Sequence, residues 1–169
     1  MTKQISRRPS PPADRPFYRV GLDLIQLRNN GEECYNGDKY ALHAVCQYCS
    51  YHMARTLKNR SRAVVMPALK SLIATIERQY NQTVVVLRID NEKAYTQELY
   101  DWARELGLKI EPRAENTEEQ NGLTERAGKS IITTARALRL HANLPKSLTN
   151  ELVITAVYLL NRTSIEQNG

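Results

Sequence analysis

Between residues 64 and 110 the apolar pattern switches period repeatedly, and that alternation limits the chain to an α/β arrangement. Val65, Leu69, Leu72, Ile76 and Tyr80 recur at helical spacing and predict a helix over about 64–80. Thr83–Ile89 is then short and rich in β-branched residues, the pattern of a buried strand. Leu99, Trp102, Ala103 and Leu106 return to the helical period, so Thr96–Leu106 is read as a short helix ended by Gly107. Leu108–Ile110 follows as a brief edge strand. Ahead of this region, Tyr18–Leu27, Tyr40–Tyr48 and Tyr51–Leu57 read as an antiparallel meander, with Asn29-Asn-Gly31 and Asn36-Gly37 supplying turn chemistry. Behind it, Glu111–Glu118 is polar without a period and reads as a loop, and a long helix is expected over about 118–141. Pro145 opens a last helix whose apolar face holds Leu148, Leu152, Ala156 and Leu159. Pro67 is expected in the first turn of its helix, where a missing N–H costs little. The order βββαβαβαα describes a mixed five-stranded sheet flanked by helices.

With 169 residues, 41% of them hydrophobic, the chain can bury one core, assigned to residues 17–163. Residues 1–16 are Pro-rich and basic and are expected to form a flexible arm, and 164–169 a tail. A net charge of +6 and a pI near 9.3 suit a polyanionic partner. No stretch approaches the ~20 apolar residues of a membrane span, so no membrane association is expected. The N-terminus lacks the apolar run of a signal peptide. Three cysteines, an odd number, provide no disulfide framework and suit a reducing compartment.

Three carboxylates stand in settings that suit metal ligands. Asp23 interrupts the apolar run Val20-Gly-Leu-Asp-Leu-Ile25, where an acid is costly unless paired or metal-bound. Asp90 ends Val84-Val-Val-Leu-Arg-Ile-Asp90, at the end of a strand where α/β sheets place their sites. Glu125 lies in Glu119-Gln-Asn-Gly-Leu-Thr-Glu-Arg126, on the long helix. Each has a plainer reading: a salt-bridged Asp23, an Asx turn at Asp90 and Asn91, and a surface pair of Glu125 with Lys129. If the three converge, they can hold two Mg²⁺ ions roughly 3.5–4 Å apart for in-line phosphoryl transfer.

These segments resemble the catalytic core of a copia-type retrotransposon integrase, most like those of fungal elements. The likeness rests on Val20-Gly-Leu-Asp-Leu-Ile-Gln26, Leu87-Arg-Ile-Asp-Asn91, Glu119-Gln-Asn-Gly-Leu-Thr-Glu-Arg126, Ala135-Arg-Ala-Leu138, Ala142-Asn-Leu-Pro145 and Ala156-Val-Tyr-Leu-Leu-Asn-Arg162. They run in family order, with Asp90 and Glu125 at about the family's spacing. The resemblance implies an RNase H-like fold and a polynucleotidyl transferase with Asp23, Asp90 and Glu125 as both catalytic and metal-binding residues. It implies two Mg²⁺ or Mn²⁺ ions, double-stranded DNA of element ends and target, a homo-oligomer and a nuclear location. The reaction implied is 3′-end processing followed by strand transfer.

From Glu125, helical geometry returns Lys129, Ile132, Arg136 and Arg139 close to one face. Lys129, Arg136 and Arg139 are read as phosphate contacts along a DNA backbone, the plainer alternative being solvated surface charge. Asn121, one turn before Glu125, offers an amide to a phosphate or base edge, unless this segment serves only as a helix start and hinge. Some segments depart from the family pattern. Val45-Cys46-Gln47-Tyr48 stands where paired aspartates are usual, Glu92-Lys93 replaces glycine and an acid, and Glu115-Asn-Thr-Glu118 lacks the usual prolines. A decayed or domesticated core acting as a non-catalytic DNA-binding module is therefore the alternative, and a hydrolytic nuclease of the same fold a third reading. His43, Cys46, Cys49 and His52 have ligand chemistry for zinc, but their spacing of three puts neighbours on opposite faces of a strand and argues against it.

Overall fold

A computed structural model describes residues 11–27, 33–89, 97–112 and 118–163, with backbone alone for 112 and 118–121. The elements are β1 (Arg19–Gln26), β2 (Tyr40–Cys46), β3 (His52–Leu57), α1 (Arg62–Tyr80), β4 (Val86–Ile89), α2 (Gln97–Leu106), β5 (Lys109–Pro112), α3 (Glu118–His141) and α4 (Thr149–Leu160). One five-stranded sheet has the order β3-β2-β1-β4-β5. Its β1–β2 and β2–β3 pairs are antiparallel, while β1–β4 and β4–β5 are parallel. This is the expected mixed sheet of an RNase H-like α/β fold.

Period-2 alternation divides β1 between two cores. Val20, Leu22 and Leu24 face a cluster that includes Val65, Leu69, Leu72 and Ile76 of α1 and Leu99 and Ala103 of α2. Ile25, Ala41 and Ala54 face the other side, against Ile131 and Ala135 of α3 and Val153 and Ala156 of α4. Asp23 therefore belongs to the face covered by α3 and α4, as Arg19 and Gly21 do.

Several local expectations need correction. Because α1 begins at Arg62, Pro67 sits inside the helix, beyond its first turn. The lost backbone bond is tolerated where Val65, Leu69, Leu72 and Ile76 are all fully buried. The strand expected from Thr83 begins only at Val86. The one after α2 runs on to Pro112, into the expected loop. Pro145 precedes a short 3₁₀ turn at Lys146–Leu148, and α4 starts at Thr149.

The helix ends explain two motif segments. At the end of α3, Asn143 takes a positive φ of 52°, with bonds from Asn143 N–H to the Leu140 carbonyl and from Leu144 N–H to the Arg139 carbonyl. That is a Schellman stop with Asn at the left-handed position and Pro145 beyond it. After α4, the Asn161 amide donates to the His52 carbonyl at 2.8 Å, and its oxygen accepts the His52 N–H at 2.7 Å. Asn161 thus pairs with edge strand β3 as a neighbouring strand would, satisfying backbone groups that an open edge leaves exposed.

Candidate active site

The site is set by how closely α3 lies on β1. A Cβ added to Gly21 would stand 3.3 Å from the Thr124 Cγ2 and closer still to its Oγ1, so only glycine admits Thr124 there. Thr124 is 2% exposed. One turn along α3, a Cβ added to Gly128 would lie 3.4 Å from Asp23 Oδ2. Gly21 therefore lets the helix come down onto the strand, while a methyl at Gly128 would make only an ordinary contact with the Asp23 carboxylate.

Thr124 anchors Glu125 beside it. Asp23, Ile25, Glu125, Gly128, Lys129, Ile132 and Thr133 line one open depression of about 330 Å³. Two of the three predicted acids thus share a wall of the same site. The Glu125 side chain is 56% exposed and pairs with Lys129 Nζ at 2.8 Å. Asp90 lies outside the described residues. Arg88, two positions earlier in sequence, is paired with Gly21, two positions before Asp23. Among the described residues no three His, Cys, Asp or Glu side chains converge as a metal-binding group. Asp23 and Glu125 are hard oxygen donors on one solvent-open rim, a donor chemistry that fits Mg²⁺ or Mn²⁺.

The basic stripe of α3 divides. Lys129 lines the depression beside Glu125, and Arg136 is exposed further along. Arg139 is half-buried, and its guanidinium donates to the Leu144 carbonyl at 3.5 Å, so it folds back over the helix end. The side chain of Asn121 lies outside the described residues. The zinc quartet is divided, though by residue type and not by the strict alternation expected from the spacing. His43 and His52 lie on the α4 side with Nε2 and Nδ1 3.2 Å apart, whereas Cys46 is buried in the α1-side core, with Cys49 packed against it.

An ion cluster on the α3 side of the sheet escaped the sequence reading. Glu111 of β5 accepts from Arg88 at 3.1 Å and pairs with Arg19 at 3.4 Å and Lys109 at 3.5 Å. The Arg19 and Arg88 side chains are only 6% and 9% exposed. Burial pushes the Glu111 carboxyl up, but the Arg88 hydrogen bond and the charges of Arg19, Arg88 and Lys109 outweigh it and hold it below the usual range. The cluster ties β1, β4 and β5 together beside Gly21. Arg88 inside an otherwise apolar run was the available signal.

No protein-family model matches the chain. It is 30% identical over 146 residues to the retrovirus-related Pol polyprotein from transposon TNT 1-94 of Nicotiana tabacum, an alignment covering 84% of this chain and 11% of the polyprotein. The chain therefore spans only a small part of that relative. The fold is similar to the simian T-cell lymphotropic virus intasome in complex with PP2A regulatory subunit B56 gamma, with a TM-score of 0.72, 17% identity and coverage of 98% of this chain and 55% of that one. The catalytic core domain of BIV integrase gives 0.63 at 17% identity, covering 90% and 89%. The HTLV-2 integrase catalytic core domain in complex with magnesium, in a trimeric form, gives 0.65 at 15% identity, covering 90% of both chains. From the tobacco relative and the shared architecture, with the acid-bearing segments in family order, the chain belongs to the retrotransposon integrase cores, and the copia type fits it.

Proposed function

We propose that this chain is the catalytic core of a retrotransposon integrase that processes DNA 3′ ends and joins them to target DNA, acting in the nucleus as a homo-oligomer. The observation that carries the reading is the shared depression in which Asp23 of β1 and Glu125 of α3 face one space. Asp23, Asp90 and Glu125 would hold two divalent ions, Mg²⁺ or Mn²⁺. Such ions supply activation of the attacking oxygen and stabilisation of the leaving one. Lys129, now paired with Glu125, is placed to exchange that partner for a DNA phosphate. Arg136 extends the cationic track along the helix, and Asn121 contributes an uncharged donor near its start. The partner chemistry agrees with the net charge of +6 and with the magnesium of the HTLV-2 core and the assembly of the viral intasome.

A non-catalytic DNA-binding module is the second reading. It is favoured by the Glu125–Lys129 ion pair, which engages the acid, and by the altered segments Glu92-Lys93 and Glu115–Glu118. A joining assay separates the readings. Labelled duplexes carrying the source element's ends are incubated with target DNA and Mg²⁺ or Mn²⁺. The catalytic reading predicts joined products from wild type and none from Asp23→Asn or Glu125→Gln. Cleavage without joining would make the chain a nuclease, and DNA binding without either product would make it a binding module.

A further inference from the structure

The β2–β3 turn carries two of the three cysteines as Cys46-Gln-Tyr-Cys49. Ser50 N–H donates to the Cys46 carbonyl at 3.0 Å, closing a single α-turn, and Cys46 N–H donates to the Tyr51 carbonyl at 2.9 Å. In such a turn, Cα atoms three residues apart are separated by about 5 Å, inside the range a disulfide spans. The Cys46 sulfur accepts the Phe17 N–H at 3.1 Å and the Cys49 N–H at 3.4 Å. The Cys49 thiol also donates to it. That bond, with the backbone N–H groups, outweighs burial and pulls Cys46 down to about 6. Cys49 keeps the shared proton and is pushed up. Cys46 is 1% exposed, but its cover at the turn is thin: Gln47, Cys49 and Ser50 are half-buried and Tyr48 is exposed. Cys34 lies on the opposite side of the sheet, in the α3–α4 core.

We propose that Cys46 and Cys49 form a peroxide-sensitive dithiol site that closes reversibly to an intramolecular disulfide. The Cys46 thiolate attacks one oxygen of a hydroperoxide. An S–O bond forms, the O–O bond breaks, and the leaving oxygen takes a proton, which leaves a sulfenic acid on Cys46. The Cys49 sulfur then attacks the Cys46 sulfur. The S–S bond forms, the S–O bond breaks, and hydroxide departs with the Cys49 proton as water. Two thiols lose two electrons and two protons, and hydrogen peroxide becomes two waters. A disulfide sulfur is a weaker acceptor than a thiolate, so closure also releases the Phe17 N–H at the entry to β1.

The test is peroxide treatment of the reduced protein at neutral pH, a catalase quench, then alkylation after unfolding and peptide mapping by mass spectrometry. Cys46 and Cys49 are expected to become protected together, with loss of both free thiols before that of Cys34, and to be recovered by dithiothreitol. Cys34→Ser should leave that protection unchanged. Cys49→Ser should abolish the disulfide-linked peptide mass and leave sulfenic acid on Cys46 alone, trapped by dimedone. The proposal is overturned if all three thiols alkylate fully after a dose that oxidises glutathione in the same tube. Equal protection of Cys34, or a Cys46 in Cys49→Ser that neither dimedone nor peroxide modifies, would also overturn it.

Discussion

Replacing Gly21 with alanine should weaken the fold at the point where the site is assembled. The new methyl would meet Thr124 Oγ1 and Cγ2, the latter at 3.3 Å, and Thr124 is 2% exposed with no open side to retreat into. Overpacking of this kind costs about 1–3 kcal/mol. Relief from glycine's chain entropy offsets ~0.5–1 kcal/mol, leaving a net loss of about 1–2 kcal/mol. For a domain of this size each kcal/mol moves Tm by about 2–4 °C. Guanidinium melts with an unchanged slope should read the loss directly. Thr124→Ala removes both close atoms and leaves only Cβ, at 3.4 Å. The double variant should therefore recover ~1 kcal/mol relative to the sum of the singles. Gly128→Ala is the contrast: its methyl meets Asp23 Oδ2 at 3.4 Å, an ordinary contact, so stability should hold or rise. Equal stability of Gly21→Ala and wild type, or additivity in the double variant, would refute the claim that this contact sets the β1–α3 distance.

Three further outcomes follow from the same geometry. Glu111→Gln leaves Arg19 and Arg88 buried without their carboxylate and should cost about 3–5 kcal/mol in guanidinium melts. Asn161→Ala strips two hydrogen bonds from the His52 backbone and should cost about 1–3 kcal/mol, with faster amide exchange at His52. Stability should fall on acidification in two stages. Burial and the charge of His52 hold His43 down at about 3, and burial lowers His52, so the unfolded chain binds more protons below about 6.5. That contribution is complete above the unfolded value and drains away as pH falls towards 3. Glu111, also held low, adds a loss that begins below its unfolded value near 4.5. Denaturant melts from pH 8 to pH 4 would check the sign, and a protein more stable at pH 5 than at pH 7 would contradict it.

Element order and the two apolar faces were legible because they rest on local periodicity. Val65, Leu69, Leu72 and Ile76 mark the buried face of α1 without help from the rest of the chain, and α3 spans 118–141 as its pattern predicts. The end of β5 was not legible, because Glu111 is polar and is held there by Arg88 and Arg19 of other strands. Arg139 was read as part of a DNA-facing stripe from helical angle alone. The Schellman stop at Asn143, which helical angle does not reveal, also brings the Leu144 carbonyl within reach of the Arg139 guanidinium. The site shows the same division. Asp23 and Glu125 stood out as acids in unusual settings, whereas Gly21, which lets α3 close on β1, has no side chain to attract notice.

The central claim is that Asp23 and Glu125 face one divalent-ion site between β1 and α3. Mn²⁺ titration followed by amide NMR tests it most directly, because the ion broadens signals according to distance. The account predicts that the amides of Asp23, Glu125 and Gly128 disappear first in wild type and survive the same titration in Asp23→Asn. Broadening centred elsewhere, or unchanged by that substitution, would contradict it.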